Sequence, residues 1–428
     1  MFKGIVFPCS STVTLEIVGS LNYHKNISFI GVNSHNNYEF KNLFETTFND
    51  CPDISTNEDE TINYLLNICQ KYNCNFIIPT MDYSHLILSK YINKFNLVNI
   101  KIITSSYDTN LICVSKQTTY KSLNNVIPCP NIYNYNDLKE IIEPLFLKPK
   151  IGYGSRNCHI INNIDDLHKH YNDELLILEY LPGDEFTIDC FTYNKKLIYF
   201  NIRKRVLYKN GLSVITENLL NNNEIQDIAE KINNTISFVG AWFFQVKYDK
   251  NNKIKLLEIS TRIAGASSIN RLNGSNLTLL SLFNHFNHPI DISPNNFSFC
   301  VSKIFRNTID FNKLDRFINV FIDFDDTIIV NNKVNENAIL FLYKSLNKNK
   351  NIYLLSRHKF DIYETLIKYK IDKNIFKEII IINDKSINKS NYVIQNSIFI
   401  DDSFKERNDV IKNINNVLTF DIDCFEFF

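Results

Sequence analysis

Leu256-Leu-Glu258-Ile-Ser260-Thr-Arg262 sets a polar side chain at every second position of an otherwise apolar run. A two-residue period sends Glu258, Ser260 and Arg262 to one face of a strand and leaves the aliphatic residues to the other. A second β-rich run, Trp242-Phe-Phe-Gln245-Val246, offers Gln245 in the same way. Taken singly, Glu258 and Arg262 read as a cross-strand ion pair on a solvated face. Their neighbours in sequence decide otherwise.

Upstream, Leu145-Phe-Leu-Lys148-Pro149 reads as a strand ending in a lysine, and it runs into Lys150-Ile-Gly152-Tyr-Gly154-Ser155-Arg-Asn157, a small-residue loop. Such loops let backbone N–H groups approach phosphate oxygens. About thirty residues on, the apolar run Leu175 to Leu178 ends in Glu179-Tyr-Leu181-Pro-Gly183-Asp-Glu185, an extended hinge with acids at either side. A triphosphate passing to an acyl phosphate spreads negative charge over several oxygens, and lysines, magnesium and backbone donors must already be aimed there.

In this order the residues resemble the ATP-grasp superfamily, in detail most the large subunit of carbamoyl phosphate synthetase, over roughly residues 1 to 305. The resemblance implies that Lys116 and Lys148 bind ATP phosphates, that Gly152, Gly154 and Ser155 form the mobile loop, that Glu179 and Leu181 hold adenine, and that Glu185 holds ribose. It further implies Gln245, Glu258 and Ser260 as magnesium or manganese ligands and Arg262 as the group that steadies the transferred phosphoryl. Ser260 stands where the family often has asparagine, and Asn157 replaces a loop glycine; serine still offers oxygen, and asparagine tolerates a left-handed backbone. Arg203 and Arg205 are candidates for the acceptor pocket, against a plainer reading as cations covering an exposed sheet face.

A second constellation begins at Val320-Phe-Ile-Asp323-Phe-Asp325-Asp-Thr327, a short buried strand delivering two carboxylates to its carboxyl end, where open α/β sheets bind ligands. Two further apolar runs end in Ser356-Arg357 and in Asp401-Asp402, with Lys385 between them. An isolated Asp-x-Asp-x-Thr is as well explained by a capped turn. Four pieces in order resemble the haloacid-dehalogenase-like (HAD) phosphatases, over roughly the last hundred residues. That likeness implies Asp323 as nucleophile, Asp325 as general acid/base, Thr327, Ser356 and Lys385 as phosphate binders with Lys389 a rival for the lysine role, and Asp323, Asp325, Asp401 and Asp402 as magnesium ligands. The spacings from Thr327 to Ser356 and from Ser356 to Lys385 each hold one helix and its turns, so no cap domain is expected.

The N-terminal runs Gly4 to Phe7, Ile27 to Val32, Phe76 to Pro79 and Ile100 to Ile103 alternate with helical stretches and predict a parallel sheet, without the Gly-x-Gly-x-x-Gly of a dinucleotide fold. They resemble a pre-ATP-grasp domain, with Asp82 of its Pro-Thr-x-Asp turn read as a turn cap. The expected architecture is therefore α/β throughout. A Rossmann-like pre-ATP-grasp domain occupies residues 1–108, a two-lobed ATP-grasp fold 109–308, and a capless HAD-like doubly wound parallel sheet 316–428.

Lysine plus arginine equals aspartate plus glutamate at 46 each, so no global charge draws the chain to nucleic acid or membrane. Ten cysteines without Cys-x-x-Cys pairs argue against structural zinc or a disulfide framework, and no apolar run is long enough for a membrane span. The expectation is a cytoplasmic enzyme with small-molecule partners: a carboxylate, an amine or ammonia, and a phosphorylated metabolite. ATP is the substrate and magnesium (or manganese) the cofactor. A lone ATP-grasp unit without an amidotransferase segment does not make a whole carbamoyl phosphate synthetase. The rivals are an ATP-grasp kinase with an editing phosphatase and a nucleotide-sensing module without turnover.

Overall fold

Strands β1 (Phe2–Phe7), β2 (Ile27–Val32), β3 (Thr47–Phe48), β4 (Phe76–Pro79) and β5 (Lys101–Ile102) pair in parallel in the order β3-β2-β1-β4-β5. The computed structural model describes residues 2–22, 24, 26–35, 40, 43–44, 46–152, 154, 156–209, 212–220, 222–295, 297–303 and 314–428. The last four residues of β1 and all of β4 are buried, as expected of parallel strands covered on both faces. This sheet delivers the turn after β4, from which Asp82 opens the helix Asp82–Lys90.

The chain then forms a four-stranded antiparallel sheet from β6 (Ile132–Tyr133), β7 (Leu145–Pro149), β8 (His159–Ile161) and β9 (Leu175–Glu179), ordered β6-β9-β7-β8. Strand β7 ends at the Lys148-Pro149 step, and the glycine loop follows it. A six-stranded antiparallel sheet comes next. Its strands are β10 (Glu185–Tyr193), β11 (Lys196–Lys209), β12 (Leu212–Leu219), β13 (Gly240–Tyr248), β14 (Ile254–Ser260) and β15 (Cys300–Ser302), in the order β14-β13-β10-β11-β12-β15.

Alternation divides this sheet cleanly. Phe186, Ile188 and Cys190 of β10, Ile202 of β11, Trp242, Phe244 and Val246 of β13 and Leu256 and Ile259 of β14 join one core with Ile225, Ile228, Ala229 and Ile232 of the helix Asn223–Thr235. Trp242 stacks on Phe238 at 3.9 Å, and its indole N–H donates to Thr192 Oγ1 at 2.8 Å, so the polar end of a buried ring is satisfied. The opposite face carries the polar side chains of Thr187, Asp189 and Gln245, and beside them Phe191, Tyr199 and Ala241 pack into a second core with Val13, Ile17 and Leu282.

The chain divides into two compact units, Met1–Ile304 and Phe305–Phe428. The expected boundary near Asn307 to Phe317 falls largely outside the described residues. In the second unit β16 (Asn319–Ile322) is followed by the hairpin β17 (Ile329–Val330) and β18 (Lys333–Val334), then β19 (Asn351–Ser356), β20 (Glu378–Ile381), β21 (Ser397–Ile400) and β22 (Val417–Phe420). Asn331 and Asn332 at the hairpin tip have φ of 51° and 59°, the paired left-handed conformation that tight hairpins require. The main sheet is parallel in the order β20-β19-β16-β21-β22, so β16, β19 and β21 bring their carboxyl ends together at its centre. Among the described residues no helix is long and apolar enough to cross a membrane.

Candidate functional site

Strand register builds the first site. Glu258 of β14 faces Gln245 of β13, Gln245 faces Thr187 of β10, and Thr187 faces Arg203 of β11, so four strands contribute one continuous polar row. Gln245 donates its amide to Thr187 Oγ1 at 3.1 Å, which leaves its carbonyl oxygen as an acceptor. Glu258 lies beside Lys116, 3.4 Å from its Nζ, and Lys116 also donates to the Gly152 carbonyl at 2.9 Å. The helix Lys116–Leu123, the loop after β7 and the edge strand β14 therefore converge on one point.

Lys148 reaches the same junction. Its buried ammonium donates to Tyr120 OH at 2.7 Å and to the Leu257 carbonyl at 2.9 Å, spanning from β7 to β14. Burial, with the nearby charge of Lys116, lowers its pKa to about 7, against weaker support from Glu258 and Glu185. With neutral hydrogen-bond partners alone, this ammonium is short of counter-charge, the condition under which an anionic ligand is drawn in.

The other predicted nucleotide residues are distributed around this centre. Glu179 accepts from Asn131 at 2.9 Å and pairs with Lys255 at 3.1 Å, while Leu181 is buried. Gly183 packs so closely that a Cβ would lie 2.5 Å from Tyr248 Cβ, which explains the residue type in the hinge. Glu185 pairs with Arg205. Gly152 and Gly154 are exposed on the loop, with Gly154 at φ 66° and Asn157 at φ 55°; Ser155 lies outside the described residues.

Several of these residues find partners other than those expected. Ser260 and Arg262 do not turn jointly toward Glu258: Ser260 donates to Asp82 Oδ1 at 2.5 Å and Arg262 Nε to Asp82 Oδ2 at 3.1 Å. Asp82 is not a cap, because Ser84 bonds both the N–H and the carbonyl of Met81 and closes that helix end. Burial works against the Asp82 charge, but Arg262 and the two hydrogen bonds outweigh it and hold the carboxyl below its usual range. Arg203, a candidate for the acceptor pocket or for covering an exposed sheet face, instead forms a buried two-pronged pair with Asp189 at 2.5 Å and 3.0 Å.

In the second unit, Lys389 Nζ lies 2.7 Å from Asp323 Oδ1 and 2.6 Å from Asp401 Oδ2, with all three side chains buried. Lys385, assigned to this position from sequence, is exposed. The lysine comes instead from the short helical turn Lys389–Asn391, because the stretch after β20 is a few residues longer than the spacing suggested. Burial raises the pKa of Asp323 and takes that of Asp401 to about 6, while the two carboxylates offset burial and keep Lys389 charged. Ser356 is buried beside Asp323, and its hydroxyl partly offsets the effect of burial on that carboxyl.

Asp323, Asp401 and Asp402 each offer a carboxylate oxygen, all within 4.8 Å of one another. Asp325 is not in that group; its carboxylate is turned to His358, a residue the sequence reading did not single out. Thr327 is buried, and its Oγ1 accepts the backbone N–H of Asp402 at 3.2 Å, which ties the β16 loop to the β21 loop.

Residues 171–304 match the sequence model of the family described as "ATP-grasp in the biosynthetic pathway with Ter operon". The first unit has the ATP-grasp fold. Solved structures agree on this fold. The biotin carboxylase β-γ-ATP complex from Campylobacter jejuni superimposes with a TM-score of 0.56 at 14% identity, covering 68% of this chain and 72% of that one. N5-carboxyaminoimidazole synthetase from Staphylococcus aureus with ADP gives 0.56 at 14% identity over 69% and 79%. L-amino acid ligase from Bacillus licheniformis gives 0.52 at 13% identity over 66% and 73%. No curated protein sequence matches the chain.

Two buried lysines give opposite expectations. The folded pKa of Lys148 lies below its unfolded value, so the cost of charging it is fully present below pH 7 and fades as pH rises toward 10.5. Lys148→Met is therefore expected to raise Tm of the ATP-grasp domain, most below pH 7 and progressively less above it, in thermal melts across that range. Lys389→Met strands two buried acids and is expected to destabilise the second unit by about 3–5 kcal/mol at neutral pH. That loss should shrink toward pH 5 as the acids protonate, which urea titrations at both pH values would measure.

Proposed function

We propose that the ATP-grasp domain is a carboxylate–amine (or ammonia) ligase working through an acyl phosphate. The observation that carries this reading is the meeting of Lys116, Lys148 and Glu258 where β7, β14 and the glycine loop converge. Lys116 and Lys148 would bind the ATP phosphates with backbone N–H groups of the loop at Gly152 and Gly154; Glu179 and Leu181 would hold adenine and Glu185 ribose. The Gln245 carbonyl and the Glu258 carboxylate are hard oxygen donors that fit magnesium or manganese. The fold relatives solved with β-γ-ATP and with ADP support the choice of nucleotide.

In the proposed reaction a carboxylate oxygen attacks the γ-phosphorus, ADP leaves, and an amine displaces phosphate from the acyl carbon. Arg262, clamped by Asp82, would face the developing charge at the end of β14. Incubation with ATP, magnesium and panels of carboxylates and amines is expected to give ADP release that requires both an acid and an amine. ATP binding without amine-dependent ADP across the panel would defeat the ligase reading.

The second unit is proposed to be a magnesium-dependent phosphohydrolase of the HAD type. Support comes from a parallel sheet whose three central strands end in Asp323, Ser356 and Asp401, with Lys389 among them. The oxygens of Asp323, Asp401 and Asp402 suit magnesium, which when bound would neutralise charge on the phosphoryl group. Asp323 would attack phosphorus, Lys389 and the Ser356 hydroxyl would hold phosphoryl oxygens, and Asp325 would protonate the leaving oxygen and then deprotonate water. Asp323→Asn is expected to abolish magnesium-dependent hydrolysis of p-nitrophenyl phosphate, a loss of at least about 10³-fold. Undiminished hydrolysis in that variant would remove Asp323 from the mechanism.

A further inference from the structure

His358 follows Ser356 by two residues, and its imidazole is only 7% exposed. Nδ1 lies 2.9 Å and 3.0 Å from the two oxygens of Asp325, and Nε2 lies 3.0 Å from Thr365 Oγ1. The Thr365 hydroxyl hydrogen is already committed to the Asp361 carbonyl at 2.8 Å. Thr365 is therefore the acceptor and Nε2 carries a hydrogen, which fixes the ring's orientation and leaves one shared hydrogen between Nδ1 and Asp325. Phe324 and Phe360 meet the imidazole at centroid distances of 5.1 Å and 5.8 Å and at steep interplanar angles of 73° and 65°.

Asp325 has none of this support of its own. Its side chain is 52% exposed, and among the described residues His358 alone makes a side-chain hydrogen bond to it. A short, half-exposed carboxylate without a fixed partner populates several rotamers, and most of them would aim away from a bound phosphate ester.

We infer that His358 is a positioning residue that holds the Asp325 carboxyl in line with the leaving oxygen of the phosphate ester. This rests on the phosphohydrolase reading above. As an Asp323 oxygen bonds to phosphorus, the bond from phosphorus to the ester oxygen breaks, and its electron pair stays on that oxygen, which takes the proton of Asp325. An alkoxide needs that proton in the transition state, whereas p-nitrophenolate leaves without it. Misaiming Asp325 should therefore penalise alkyl esters much more than activated aryl esters.

The test uses the full chain with magnesium and compares kcat/KM, which reports the first phosphoryl transfer, for p-nitrophenyl phosphate, phenyl phosphate and glycerol 2-phosphate. His358→Ala is expected to lower the glycerol 2-phosphate value roughly 100-fold and the p-nitrophenyl phosphate value by much less, steepening the dependence on leaving-group basicity. His358→Asn, whose side-chain amide can still hydrogen-bond the Asp325 carboxyl in place of Nδ1, should recover most of the loss. Thr365→Val, which removes the ring's anchor, should shift the series in the same direction and carries the test should His358→Ala fail to fold.

An equal fall for all three esters, or no fall, overturns the inference while leaving the phosphohydrolase reading intact. A wild-type chain without magnesium-dependent hydrolysis, or one whose hydrolysis survives Asp323→Asn, overturns both.

Discussion

A buried ammonium stays charged only when carboxylates close on it, and both halves of the molecule are arranged around that constraint. Lys389 sits between Asp323 and Asp401 at hydrogen-bond distance and keeps its proton despite burial. Lys148, buried as deeply, touches a phenol and a carbonyl and holds its proton weakly. Strand geometry makes the difference. Parallel strands β16 and β21 end side by side and bring their acids to one lysine. Lys148 instead crosses from β7 to the backbone of β14, with the nearest acid of that strand, Glu258, engaged by Lys116.

The N-terminal sheet and its helices are tied directly to the end of β14. Asp82 leaves the carboxyl end of β4 and holds Ser260 and Arg262 from the last turn of β14 onward. Ser84 makes this possible by capping the helix in Asp82's stead. A second tie runs nearby, where buried Glu16 pairs with Lys303 and accepts from Ser267 at 3.3 Å. The segment from Ser260 to Ser267 is thus held at two points by carboxylates of the helices that pack on the first sheet.

What was legible in the sequence follows from period and position. The alternation in Leu256 to Arg262, the strand-end acids at Asp323 and Asp401 and the parallel N-terminal runs all lie within single elements, where local pattern and geometry coincide. The partners were not legible. Asp82 was visible but read locally, because its ligands lie 178 and 180 residues away. His358 has no spacing signal at all: a histidine after a strand acquires meaning only once the β16 loop lies beside it. Lys385 and Lys389 both lie between β20 and β21, and only the folded chain shows that Lys389 is the one that meets Asp323 and Asp401.

The polar row across the six-stranded sheet accounts for the burial of Arg203. It lies opposite Thr187 and reaches diagonally to Asp189, whereas Arg205 reaches Glu185 at the other side of the same row. Asp189 also accepts from Asn270, and Asn270 in turn accepts from Tyr199 and Asn201, so the inner end of the row is closed by its own hydrogen bonds. A sealed pair of this kind adds little net stability, since desolvation offsets most of the attraction, yet either charge left alone would be costly. Its effect is on geometry: it locks β10 to β11 and leaves the outer end, where Glu258 and the two lysines meet, as the part of the row with charge to offer a ligand.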